Sequence, residues 1–174
     1  MTENNNVDGT IEKLLDRLIT VIGDEAELFQ HFLKMLGNQQ EALIKSDVDT
    51  LQRVTSELQG IVSQSKRLED DRVVTVDEIR RLGGADDDLT VSQICDMADE
   101  SRSTQLKTLR ETVLNLYSRI EETRMRNGLL IQQSVEQIRN TIEILGRVPS
   151  QKTNYKGQGG ISREYTPIGV DRRV

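Results

Sequence analysis

Proline is missing from the first 148 residues of this 174-residue chain. Nothing in that stretch locks φ or removes a backbone donor, so long helices are permitted. Tryptophan is absent, and aromatic residues are only 3% of the total, too few for a thick aromatic core. A single cysteine, Cys95, excludes an internal disulfide and fits a reducing compartment. A single histidine, His31, leaves no ligand set for zinc within the chain. No run approaches the roughly 18 apolar residues that a membrane-crossing helix needs. The opening MTENNNVDGT has no basic region followed by an apolar stretch, so it does not read as a secretory signal. A soluble cytoplasmic protein with no membrane insertion is expected.

Charge is abundant but uneven. The net value is −6, yet residues 147–174 hold six basic and two acidic side chains, or +4. The remaining body therefore carries −10. An acidic body argues against nucleic acid, whose capture depends on neutralising phosphates. Hydrophobic residues are 35%, low for a compact globule and ordinary for a helical bundle.

What is present is periodicity. From Leu106 to Leu145 the positions Leu106, Leu109, Val113, Leu116, Ile120, Thr123, Asn127, Leu130, Ser134, Ile138, Thr141 and Leu145 follow alternating steps of three and four. They share one stripe of a helix. Forty helical residues span about 60 Å, more than a small globule's width, so this helix must pack lengthwise on partners. Thr123 and Asn127 interrupt the apolar stripe at its middle. They read either as a register device or as the point where an intramolecular bundle ends.

Upstream, a first helix is expected from Thr10 as its cap, with a stripe of Ile11, Leu15, Leu18, Ile22, Glu25, Phe29, Phe32, Leu36, Gln39 and Leu43. Gly23 and Gly37 each weaken it by about 1 kcal/mol, and a bend near Gly37 is expected. Ser46 and Asp49 have the spacing of a capping box for a second helix carrying Leu51, Val54, Leu58, Ile61, Ser65 and Leu68. So short a turn makes the two helices antiparallel. Gly83 and Gly84 stop the second helix, and Asp86, Asp87 and Asp88 solvate the loop. Thr90 with Gln93 caps a short helix bearing Ile94, Met97 and Ala98, with an interruption at residues 99–103. Gly146 and Pro149 end the long helix. The domain reading is a disordered N-terminus over 1–9, a helical bundle over 10–146 and a flexible basic tail over 147–174. The fold class is all-α: an antiparallel helical hairpin, a short helix and a long C-terminal helix in an elongated bundle.

Catalytic signals are missing. A cysteine–histidine nucleophile would require Cys95 and His31 to meet, and the bland reading is a buried thiol and a boundary histidine. Runs such as Glu69-Asp70-Asp71 and Asp86-Asp87-Asp88 lack the calcium-loop pattern. Gly157-Gln158-Gly159-Gly160 follows no strand and opens no helix, so it is no phosphate loop. No catalytic residue, metal or cofactor is expected.

Binding is a better fit. Leu130, Ile131, Val135, Ile138, Ile142 and Leu145 form a stripe wider than one partner helix needs. Each apolar side chain left unburied forfeits roughly 1.5–3 kcal/mol. The surplus serves either self-association, as a structural coiled-coil homo-oligomer or scaffold, or an amphipathic client helix laid along it. Pattern alone does not choose between them.

Several segments nevertheless resemble the FlgN family of bacterial flagellar type III export chaperones. They are Leu14-Leu15-Asp16-Arg17-Leu18, the stretch from Gln39 to Asp47, Thr55-Ser56-Glu57-Leu58, the stretch from Asp88 to Ile94, Arg126-Asn127-Gly128-Leu129-Leu130 with Ser134 and Leu145-Gly146, and Tyr155-Lys156-Gly157. Coverage is about residues 10–160. The resemblance implies a cytoplasmic chaperone that holds C-terminal segments of hook-associated junction proteins unassembled and passes them to the export gate. It points to Leu130, Ile131, Val135, Ile138 and Ile142 for the client and Tyr155 for gate docking. A weak homo-oligomer is compatible with it.

Overall fold

The computed structural model describes residues 2–84, 89–147, 150–153 and 163–166, and side chains over 9–84 and 89–146. Its helices are α1 (Thr2–Lys45), α2 (Val48–Gly83), α3 (Val91–Met97) and α4 (Glu100–Arg147). Two short strands follow, β1 (Ser150–Thr153) and β2 (Arg163–Thr166). The chain divides into two units, Met1–Gly128 and Leu129–Val174.

The first unit is an all-α bundle with two apolar clusters. In one, Leu28, Met35 and Leu36 of α1 meet Val54, Leu58 and Ile61 of α2 and Ile120 of α4. In the other, Leu15 and Leu18 of α1 meet Ile79 of α2, Ile94 and Cys95 of α3, and Leu106 of α4. The pairing order makes α2 antiparallel to α1 and α4 parallel to it. Each cluster draws one stripe from every helix it joins, which is how amphipathic helices bury their apolar sides together. The polar member of the α1 stripe, Glu25, is buried and is met by Arg72 of α2 at 3.1 Å. Thr75, fully buried in α2, donates its hydroxyl to the Asp71 carbonyl.

Two local expectations about helix ends are corrected. α1 begins at Thr2, so Thr10 lies inside the helix rather than at its start, and the segment expected to be disordered over 1–9 enters the helix. With no proline present, adding turns to a helix already fixed by packing after Ile11 costs little. The cap of α2 is Asp47, which accepts from the Thr50 N–H at 3.0 Å, rather than Ser46. Ser46 is left-handed, with φ of 54°, because it terminates α1. Its N–H donates to the Leu43 carbonyl and that of Asp47 to the Ala42 carbonyl, the paired bonds of a left-handed helix stop. In the segment expected as a flexible tail, β1 and β2 pair antiparallel, with Ser150 opposite Thr166 and Thr153 opposite Arg163. Threonine and tyrosine in these strands favour extended backbone. The rest of that segment lies outside the described residues.

Other boundaries agree with the sequence. Gly84 is left-handed at φ 67° and closes α2 through its N–H to the Arg80 carbonyl. Thr90 and Gln93 form the reciprocal capping box of α3. Asp99 breaks the chain between α3 and α4 and accepts from the Arg102 N–H at 3.0 Å.

The left-handed serine yields one prediction. Ser46→Gly should stabilise the protein by about 0.5–1 kcal/mol, since glycine adopts positive φ without a Cβ clash. Thermal unfolding should shift upward by about 2 °C in a chain of this size.

Candidate functional site

The apolar stripe of α4 changes environment along its length. Leu106, Leu116, Ile120 and Asn127 are buried, while Leu109, Val113 and Thr123 are half-buried. Asn127 is the pivotal residue. It is 2% exposed, and its side-chain N–H groups donate to the Leu36 carbonyl and to Oε1 of Gln39, each at 2.9 Å. Its Oδ1 is buried with no hydrogen-bond partner. Such an orphaned acceptor costs about 1–3 kcal/mol, so the amide fixes α4 against α1 at some expense in stability. Gly128 follows directly, and the first unit ends there.

In the second unit the same helical periodicity carries exposed apolar side chains. Ile131, Val135, Ile138, Ile142 and Leu145 are all exposed, Ile138 at 59%. At about 100° per residue they fall within about 80° of arc. Leu130 is half-buried and stands about 60° outside that arc on the Leu145 side, and its carbonyl accepts from the Ser134 hydroxyl. Leu129 and Ile144 are exposed as well, on the opposite flank. Sequence reasoning did not single out these two. Both stand outside the seven-residue stripe and read as ordinary surface positions. Tyr155 lies outside the described residues.

A second surface belongs wholly to the first unit and was not anticipated. Phe29, Phe32, Ile61, Val62, Tyr117 and Ile120 line an open groove of about 610 Å³ between α1, α2 and α4. Lys66, Glu69, Glu121 and Arg124 form its charged rim. The available signal was aromatic scarcity: three of only five aromatic residues converge here. Tyr117 is 56% exposed and one step off the buried stripe.

Ion pairs close the far end of the bundle. Arg102 donates from Nε to Asp16 at 2.7 Å and from a terminal nitrogen at 3.1 Å, and it also pairs with Asp99. The Arg102 hydrogen bonds hold Asp16 and Asp99 below the ordinary carboxylate value of 3.8, and those carboxylates raise Arg102 in turn. The hydrogen bond from Arg80 similarly lowers Asp77, and the Thr50 backbone N–H lowers Asp47. A carboxylate lowered in the folded state contributes stability above its unfolded pKa, and that contribution disappears as pH falls through its folded value. Thermal stability should therefore be flat above about pH 5 and decline below about pH 4. Arg102→Gln should shallow the decline in melts recorded across that range.

Cys95 is buried among Leu15, Leu18 and Ile79, whereas His31 is exposed on α1, so the two belong to different environments. Among the described residues no three His, Cys, Asp or Glu side chains gather as a metal site. The acidic run 86–88 lies outside the described residues. No helix among the described residues is long and apolar enough to cross a membrane.

Together these features define a class: an all-α helical-bundle protein whose last helix carries exposed apolar side chains beyond Asn127. The sequence model described as FlgN protein matches residues 14–163, and the chain belongs to the FlgN family. Membership in this chaperone family supports a role in flagellar export, with binding of flagellar hook-associated proteins as the general expectation. No curated protein and no solved structure matches the chain.

Proposed function

We propose that this protein is a cytoplasmic export chaperone that covers the C-terminal helical segments of hook-associated junction proteins and delivers them to the flagellar export gate. The client helix lies along Ile131, Val135, Ile138, Ile142 and Leu145, with Leu130 at the edge of the contact. Covering a client's polymerising helix prevents premature assembly, and no nucleotide is required because the export machine drives release. Tyr155 is the gate contact. The observation that carries the reading is the exposure of five apolar side chains on one arc of a helix. Water-exposed apolar surface of this kind, patterned at helical spacing, suits an amphipathic helix laid alongside.

The competing reading is a homo-oligomeric scaffold that uses the same arc for itself. Sedimentation combined with peptide titration separates them. A monomer or weak dimer that binds a labelled C-terminal peptide of a hook-associated protein supports the chaperone. A stable, concentration-independent oligomer that ignores the peptide overturns it.

A further inference from the structure

The outer flank of α2 carries a residue pattern that is symmetric about its own centre. Val62, Lys66, Glu69 and Val73 follow steps of four, three and four, so they share about 60° of helix arc. All four are exposed, Val62 at 58% and Val73 at 56%. The two valines are centred on the bond between Arg67 and Leu68, and so are the lysine and the glutamate. Neither of these two charges is neutralised among the described residues. The arc stands about 110° round α2 from Ile61 and Ile79, which are buried in the two clusters.

Val62, Lys66 and Glu69 also form one wall of the groove between α1, α2 and α4. Ile61 and Ile120 are buried beneath it. The apolar surface it presents comes from Val62, from Tyr117, and from half-buried Phe29 and Phe32. A side chain arriving over Val62 therefore has aliphatic and aromatic surface to cover.

A second copy of α2, laid antiparallel along this face, meets it in register. Val62 of one copy faces Val73 of the other, and Lys66 faces Glu69. The two-fold axis repeats both contacts, as an isologous interface requires. Parallel pairing in register would set Lys66 on Lys66 and Glu69 on Glu69, which like-charge repulsion disfavours. A foreign helix places no symmetry requirement on this face, whereas a second copy does.

We propose that the outer flank of α2 is a self-association face, on which two copies of this chain pair antiparallel about an axis at Arg67–Leu68. The contact runs over twelve residues, about 18 Å of helix, well short of a permanent dimer interface. The dimer is therefore weak and dissociates on dilution. The contact uses no residue of the apolar arc over 131–145.

Sedimentation equilibrium of the full chain from about 10 µM to about 1 mM should show a reversible monomer–dimer equilibrium. Lys66→Glu places glutamates at both 66 and 69, so both cross-contacts turn repulsive. The dimer should weaken by about tenfold or more, with unchanged helix content by circular dichroism. Glu69→Lys should do the same with two lysines. Mixing the two variants in equal amounts should restore association as a heterodimer, because glutamate then faces lysine at every contact. Val73→Asp should weaken the dimer by about tenfold or more, and Ile138→Asp should leave it unaltered. Four results would overturn the face: a parent chain that stays monomeric throughout the range, full association of the Lys66→Glu chain, no recovery in the mixture, or loss of the dimer through Ile138→Asp. The last would assign association to the apolar arc instead.

Discussion

Ile138→Asp is expected to abolish capture of the client helix while leaving the protein folded. Ile138 is 59% exposed, so its replacement removes little that the free chain buries. Helix content and melting temperature should stay close to the parent, because surface changes away from special features fall within about 0.5 kcal/mol. Binding is different. Covering an isoleucine of this exposure returns about 1–2 kcal/mol, and an aspartate there must instead surrender its hydration to an apolar partner. A combined loss of about 3 kcal/mol or more corresponds to at least about a hundredfold in affinity. Calorimetry with a client C-terminal peptide reads the change directly. Glu136→Gln, about 160° away on the same helix, should have almost no effect. Undiminished affinity of the Ile138→Asp chain would remove the arc from the proposed site.

Asn127 offers the largest effect on stability, and its two substitutions should move in opposite directions. Asn127→Asp sets a carboxylate against the Leu36 carbonyl and Oε1 of Gln39, both of them acceptors. The position is 2% exposed, so water cannot compensate. A loss of about 3–5 kcal/mol is expected at neutral pH. Burial disfavours the charged form and raises the folded-state pKa of the new carboxyl. The destabilisation should therefore shrink as pH falls and the acid protonates, opposite in sign to the acid weakening produced by Asp16 and Asp99. Asn127→Leu removes the orphaned Oδ1 and keeps the branched shape of the side chain. Gln39 is half-buried and can take water instead, so the leucine variant should gain about 1–2 kcal/mol. Denaturant titrations at pH 7 and pH 5 check both. If both variants are neutral, the amide has no role in fixing α4.

Most of the helical plan was legible because it depends on local chemistry. The Thr90–Gln93 box, the Gly84 stop and the stripes of α1 and α2 are read from neighbours three or four residues apart, and the structure places them accordingly. The turn at Ser46 was misread because two helix ends compete for the same residues. Which of Ser46 and Asp47 caps α2 depends on how α1 stops, and a spacing rule for one helix cannot weigh the other. The start of α1 at Thr2 was missed because a polar N-terminus resembles an irregular one when cooperative extension is ignored.

Surfaces were harder to read than elements. The seven-residue pattern is the same before and after Gly128, so periodicity could not say where burial ceases. Only three-dimensional packing separates buried Ile120 from exposed Ile138. The groove at Phe29, Phe32 and Tyr117 combines residues more than 80 positions apart. No local signal joins such residues.

The two-residue link between α1 and α2 also bears on how the chain acquires its structure. Both helices of that pair are complete by Gly83, when α3 and α4 have still to be added during translation. Contacts between sequence neighbours form fastest, so the pair can fold as it leaves the ribosome and wait as a template. α4 would then be the last strut to arrive, and in any partial opening of the finished molecule the first to leave.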